Sequence, residues 1–307
     1  MLTYIVRRLL ISIPLVLVLV FVVFILLRTL VPGDPALILG GETASVERLA
    51  QIRQEQGLDK PLLVQFGIFL THVAQGNLGR SSITNEPVTE RLWVALPVTL
   101  ALTTSTFIYI MILGLTIGVV TAYWQDTWLD NVVRVLSVLS ASMPTFWLGL
   151  MLMLLFAVTL GWFPVIGDLS PRGLFLPTIT LGTGSAAGLG RLVRANMLDV
   201  LGSDYVRAAR AKGVRESKVV LSHALRNTLI PVVTIAGFTI GGLLGGAVVT
   251  ESIFGLGGLG TLAIIAIGTR DYAVIQGDVL FICVVYLMVN LIADVSYAFV
   301  DPRVRLQ

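Results

Sequence analysis

Of the 307 residues, one is cysteine, two are histidine and only 13% are charged. Cys283 stands inside an apolar run, so neither a disulfide framework nor a cysteine metal site is available. His72 and His223 both lie outside the apolar runs long enough to span a bilayer. A serine nucleophile such as Ser185, in Gly182-Thr183-Gly184-Ser185-Ala186, therefore has no histidine base within the same apolar layer. Nowhere does a Gly-x-x-x-x-Gly-Lys-Ser/Thr loop occur, so the chain carries no cradle for nucleotide phosphates. The charged fraction falls well below the roughly 25% of a soluble domain, which excludes an ordinary water-soluble fold.

What is abundant is apolar side chain, 56% of the residues. No soluble core of this length buries that much, so lipid must solvate part of the surface. A spanning helix needs about 20 apolar residues. Six segments qualify, Leu9 to Leu30, Val98 to Ala122, Val132 to Leu160, Leu174 to Val193, Leu229 to Thr250 and Val279 to Val300, the fourth being Gly- and Ala-rich with Pro177 near its start. The first is too long for a signal-peptide core and is followed by Pro32-Gly33-Asp34-Pro35 instead of a small-residue cleavage site, so it is expected to be retained. The expected fold is all-α and polytopic, one membrane-embedded domain over residues 1–307.

Charge sets the orientation. The segment after the fourth span holds Arg191, Arg194, Arg207, Arg210, Lys212, Arg215, Lys218 and Arg226 against Asp199, Asp204 and Glu216. The loop over residues 31–97 holds five basic residues against seven acids. By the positive-inside rule the first is cytoplasmic and the second extracytoplasmic, with both termini inside. The net charge of +3 and pI near 9.2 thus serve topology, and no nucleic-acid face is expected. In the outer loop Glu47 to Gln56 reads as a polar helix stopped by Gly57, and Leu62 to Val73 as an apolar helix too short to span. Trp124, Trp128 and Trp162 sit at span ends as interfacial anchors, and Arg28 is expected to snorkel from the end of the first span.

Small residues recur at helix-packing spacing: Gly114 with Gly118, and Gly237, Gly241 and Gly245 beside Gly242 and Gly246. Polar residues in spans are costly and mark candidate pore or gate positions, here Glu251, Asn290 and Asp294. Gly255-Leu256-Gly257-Gly258-Leu259-Gly260 matches the dinucleotide fingerprint but follows a spanning helix instead of a strand, so it reads as an outer turn.

The most informative stretch is the cytoplasmic segment over residues 199–231. Ser203 or Asp204 caps a short helix through Tyr205 to Lys212, Gly213 turns the chain, and a second helix starts near Glu216. Ala208 and Ala209 form a small-residue spot ringed by Arg207, Arg210, Lys212 and Arg215, a knob on which another protein's surface can seat. The run Ala208-Ala209, Gly213 and Ile230-Pro231 resembles the coupling loop of permease subunits of binding-protein-dependent ATP-binding-cassette importers, with Arg207 where the wider consensus has Glu.

The resemblance to the oligopeptide, dipeptide and nickel permease family covers nearly the whole chain. Its landmarks are Arg7-Arg8, Pro32-Gly33-Asp34-Pro35, Gly57-Leu58-Asp59-Lys60-Pro61, Gly76-Asn77-Leu78-Gly79, Ser142-Met143-Pro144-Thr145-Phe146-Trp147, Gly161-Trp162-Phe163-Pro164, Glu251-Ser252-Ile253-Phe254 and Arg270-Asp271-Tyr272. Gly257, Ala273 and Asn77 depart from the usual Pro, Pro and Asp. What the resemblance implies is a type I importer permease of the dipeptide B kind in a bacterial inner membrane. It would pair with a second homologous permease, two ATPases that bind ATP and Mg, and an extracytoplasmic solute-binding protein. Tyr205, Arg207, Ala208, Ala209, Arg210, Lys212 and Gly213 would couple to the ATPase. The chain itself would hold no cofactor and catalyse nothing. Peptides are the expected solute, with glutathione, opines or nickel complexes as alternatives in the same family. An ion-coupled secondary transporter is the rival of another class.

Overall fold

The computed structural model describes residues 2–29, 36–37 and 44–300; for residues 2–12, 29, 56, 223, 230, 234 and 292–300 it describes the backbone alone. The landmark Pro32 to Pro35 and the side chains of Arg7, Arg8 and Asp294 lie outside the described residues. Among the described residues there is no strand beyond a single bridge between Arg80 and Pro87. The helices are α1 (Leu2–Thr29), α2 (Val46–Gln56), α3 (Leu62–Ala74), α4 (Val88–Tyr123), α5 (Trp128–Ser142), α6 (Thr145–Leu152), α7 (Pro171–Leu201), α8 (Asp204–Ala211), α9 (Leu225–Phe254), α10 (Leu259–Gly268) and α11 (Tyr272–Val300).

Local chemistry explains where these helices begin and end. Ser45 accepts a hydrogen bond from the Arg48 amide at 3.2 Å and starts α2, and Gly57, at φ 57°, stops it in the left-handed conformation. Ser170 accepts from the Gly173 amide at 3.1 Å and Pro171 occupies the first turn of α7, so that helix starts before Pro177, which lies in its interior. Pro14, Pro97 and Pro231 likewise sit inside long helices, as membrane-type helices tolerate.

Three helical stretches are individually long and apolar enough to cross a bilayer: Val88–Tyr123, Pro231–Phe254 and Tyr272–Leu291. The third expected span is not one rod. Its two parts, Trp128–Ser142 and Thr145–Thr159, meet at 107°. Met143 is driven to extended backbone, ψ 129°, by the proline that follows it, and Pro144 has no amide with which to continue the ladder. After α6 the helix widens into a π turn over Met153–Thr159. The fourth expected span is the middle of α7, whose glycines, alanines and arginines give it packing surface more than lipid surface.

The chain forms two compact units. The first comprises residues 1–99 and 257–291, the second residues 100–256 and 292–307. In the first, Val88, Leu92, Leu259, Val274 and Ile275 make the core, and Phe24 of α1 meets Phe66 of α3 edge to face at 5.4 Å. In the second, α7 packs against α9, α5 and α6. The expected glycine packing is present between α4 and α7: a Cβ on Gly118 would lie 2.4 Å from Val193, and one on Gly190 would lie 2.5 Å from Ile117. The glycine row of α9 behaves differently, since Gly242 and Gly245 have nothing within 4 Å of a Cβ. They share an outward face with Ile235, Phe238 and Val249, and Phe238 is 77% exposed.

Candidate functional site

The basic segment folds as its residue pattern requires. α7 ends at Gly202, α8 runs Asp204–Ala211, and Gly213, at φ 77°, supplies the turn that a side chain would strain. A short turn over Glu216–Lys218 and a π turn over Val219–Ala224 then lead into α9. Val206 is fully buried and anchors α8, as do Val219 and Ala224 in the π turn.

Polar contacts staple the two arms. Arg210 grips Glu216 bidentately, Nε to Oε2 at 3.1 Å and Nη2 to Oε1 at 2.6 Å, and its Nη1 donates to the Leu201 carbonyl at 3.4 Å. The Arg210 guanidinium holds the Glu216 carboxyl below its ordinary pKa, and the carboxylate in return raises that of Arg210. Asn227 donates through Nδ2 to the Tyr205 hydroxyl at 2.6 Å, tying α8 to the start of α9. Arg207 pairs with Asp204 one turn back at 2.6 Å. This leaves Ala208 exposed and Ala209 half-buried in the middle of the outer face, with Lys212, Arg215 and Lys218 exposed around them. Beside the knob, Tyr123, Trp124 and Gln125 at the end of α4, Leu198 and Leu201 of α7, and the Arg210–Glu216 pair line an open cavity of about 670 Å³.

Two of the basic residues assigned to topology are tied to α5. Arg194 reaches the fully buried Asp130 with both forks, Nε to Oδ1 at 2.9 Å and Nη2 to Oδ2 at 2.7 Å. Arg134 adds a contact to Oδ2 at 2.7 Å, and the Asp126 amide another at 3.1 Å. Arg191 donates to the Ser137 carbonyl at 3.1 Å. Asp130 was not among the expected site residues; its place at the amphipathic start of α5, four residues before Arg134, was the only available signal.

The candidate gate residues lie on α9 and α11. Glu251 is fully buried in the last turn of α9, where its carbonyl accepts from the Leu256 amide at 2.9 Å. Asn290 is half-buried on α11, and the Asp294 side chain is outside the described residues. The landmark Asp271 is 1% exposed and receives the Ser81 hydroxyl and the Ser82 amide, with Arg91 at 3.8 Å, so it locks the loop before α4 to the start of α11. Arg28 is half-buried over the Phe24 ring at 5.1 Å. The glycine-rich fingerprint is a helix-to-helix turn in which Gly255, at φ 61°, ends α9 and Gly258 precedes α10.

The chain is similar to known proteins along nearly its whole length. Residues 114–306 match the family described as binding-protein-dependent transport system inner membrane component, and residues 1–103 match its N-terminal part. The chain is 43% identical over 305 residues, 99% of each chain, to the glutathione transport system permease protein GsiC of Salmonella choleraesuis. It is 44% identical to that of Pectobacterium atrosepticum and 40% to that of Escherichia coli K12, again with 99% coverage of both. Among solved structures, a chain of the MetNI methionine ABC transporter in inward facing conformation matches with a TM-score of 0.58 at 22% identity, over 68% of this chain and 96% of that one, which shows a shared fold. The chain therefore belongs to the binding-protein-dependent transport system inner membrane components, the bacterial inner-membrane permease subunits of ABC importers.

Proposed function

We propose that the chain forms half of the translocation path of an ATP-driven importer for glutathione or related small peptides. The observation that carries the coupling part is the stapled helix-turn-helix of residues 199–231, which presents Ala208 and Ala209 within a ring of cations. Two ATPases bind ATP and Mg, a second homologous permease completes the path, and an extracytoplasmic binding protein delivers the solute. Six spans over one permease domain place both termini in the cytoplasm and residues 31–97 outside. The exposed face of α9 around Gly242 and Gly245 supports a close approach by the second permease or by solute.

Nucleotide binding draws the ATPases together, and the docked α8 follows because Arg210–Glu216 and Tyr205–Asn227 make it one piece with the start of α9. A ligand shifts such an equilibrium only through its different grip on the two states, so rigidity of the docked element is what transmits the difference. Solute preference rests on the relatives named for glutathione transport, a tripeptide-like solute consistent with the peptide expectation.

The test is affinity purification of the tagged chain in mild detergent, with and without Ala209→Asp, followed by ATPase assay and uptake of labelled glutathione. Co-purifying ATPases and a second permease are expected, with ATPase association or its coupling to uptake lost in the variant. Transport that persists without ATP would overturn the importer mechanism in favour of an ion-coupled carrier. ATP-driven uptake of other peptides but not glutathione would overturn the solute assignment alone.

A further inference from the structure

In the first compact unit, Arg28, Arg53, Asp59, Lys60, Leu62 and Gln65 line an open cavity of about 730 Å³ that the transport mechanism does not use. Its walls are built. Phe24, 1% exposed, meets Phe66 and Phe69 at 5.4 and 5.7 Å, so α1 and α3 are joined by aromatic rings one turn below Arg28. Gln65, 7% exposed, donates from Nε2 to the carbonyls of Leu58 and Lys60 at 3.3 and 2.9 Å, which fixes the turn between α2 and α3.

Two polar atoms of this wall are left over. The Nη1 of Arg28 and the Oε1 of Gln65 are both sealed from solvent without a hydrogen-bond partner. Buried polar groups normally have partners, and these two make opposite demands, the guanidinium for an anion and the amide oxygen for a donor. Both residues line the cavity.

The surroundings say which kind of occupant. From Ile13 to Leu27 the sequence holds no charge, and Arg28 ends that run. Beside the cavity, Leu62, Leu63 and Val64 at the start of α3 are 39%, 71% and 45% exposed on a helix too short to span. Cations set directly beside exposed leucines, at the end of an apolar helix, reproduce the layering of phosphate over acyl chain at a bilayer boundary. A small soluble anion would have no use for the leucines.

We propose that this cavity is a phospholipid headgroup site. The phosphodiester lies against Arg28, Arg53 and Lys60, the ammonium or hydroxyl of the head alcohol faces Gln65 Oε1 and Asp59, and the acyl chains run past Leu62 and Leu63.

The experiment uses the full-length chain purified with its accompanying subunits, delipidated and titrated with dioleoyl phosphatidylethanolamine or phosphatidylglycerol under native mass spectrometry. Lys60→Gln, at an exposed position, should weaken one bound lipid about fivefold, the factor that about 1 kcal/mol per cation implies, without moving the unfolding midpoint. Arg28→Gln combined with Lys60→Gln should weaken it further. Inorganic phosphate and phosphoethanolamine at the same concentrations should leave the lipid in place. Unchanged lipid occupancy in the exposed Lys60→Gln variant overturns the site. Displacement by the chain-free anions overturns the lipid assignment and makes the cavity a soluble-anion pocket.

Discussion

The carboxylate of Asp130, fully buried, is held by both forks of the Arg194 guanidinium across 64 residues of sequence. Taking a carboxylate out of water is costly, and only a bidentate cation with further donors offsets it. The clamp ties the start of α5 to the end of α7 that leads into the basic knob.

Removing one partner of such a pair leaves an uncompensated buried charge. Arg194→Met is expected to cost about 3 kcal/mol, at the lower end for buried pairs because Arg134 still reaches Asp130. Asp130→Asn with Arg194→Met should cost less than the sum of the single changes, by about 1 kcal/mol or more. Thermal unfolding of the four proteins in detergent measures it; simple additivity would show that the two groups are energetically independent.

Ala209→Asp should abolish ATPase association or uncouple hydrolysis from uptake while leaving the unfolding midpoint unchanged, because Ala209 is half-buried on the outer face and not in the core. A Val206→Asp change should instead destabilise the segment, since Val206 has no exposure at all. If the two variants behaved alike in the unfolding assay, the separation of docking face from anchoring face would fail.

The Arg210–Glu216 staple is half-exposed, so its loss in Glu216→Gln should change global stability by less than about 1 kcal/mol. Its pH behaviour follows from sign. The Glu216 pKa is depressed in the folded state, so its contribution is fully present above the ordinary value of 4.5 and is lost as pH falls through the lower folded value. Amide exchange across residues 204–218 should therefore be insensitive to this pair between pH 8 and 5 and rise only in stronger acid. A rise near neutrality that vanished in Glu216→Gln would contradict this assignment.

Glycines of similar spacing should respond oppositely. Gly118→Ala forces a Cβ to within 2.4 Å of Val193 and 2.9 Å of the Gly190 carbonyl, so it should destabilise by about 1–3 kcal/mol. Gly242→Ala meets nothing and should hold or raise the unfolding midpoint, Ala being the better helix former by up to about 1 kcal/mol. Uptake by the Gly242 series, Ala then Leu, then reports whether that face meets the second permease or solute; normal uptake with Leu would leave it facing lipid.

Much of this was legible residue by residue. The apolar runs, the stop at Gly57, the turn at Gly213 and the small-residue knob at Ala208 and Ala209 all follow from window-scale hydropathy, left-handed backbone at glycine and helix capping. The break after Met143 was also written in the chain, since Pro144 excludes helix at the residue before it, but a span-length count of apolar residues overrides that signal. Asp130 was illegible as a site, because its partner is 64 residues away and Arg194 looks like any positive-inside charge.

The sequence by itself determined that this protein lives in a bilayer, that its backbone is helical, and that residues 199–231 form a basic, turn-interrupted element, because transfer and backbone free energies add up locally along the chain. Only the tertiary structure decided which arginines are spent internally and which remain on the knob. It also decided that Gly118 is packed while Gly242 is open, and that Asp271 locks a loop. Those outcomes depend on which helix faces meet, and a helical period repeated on every span cannot say which neighbour each face will find.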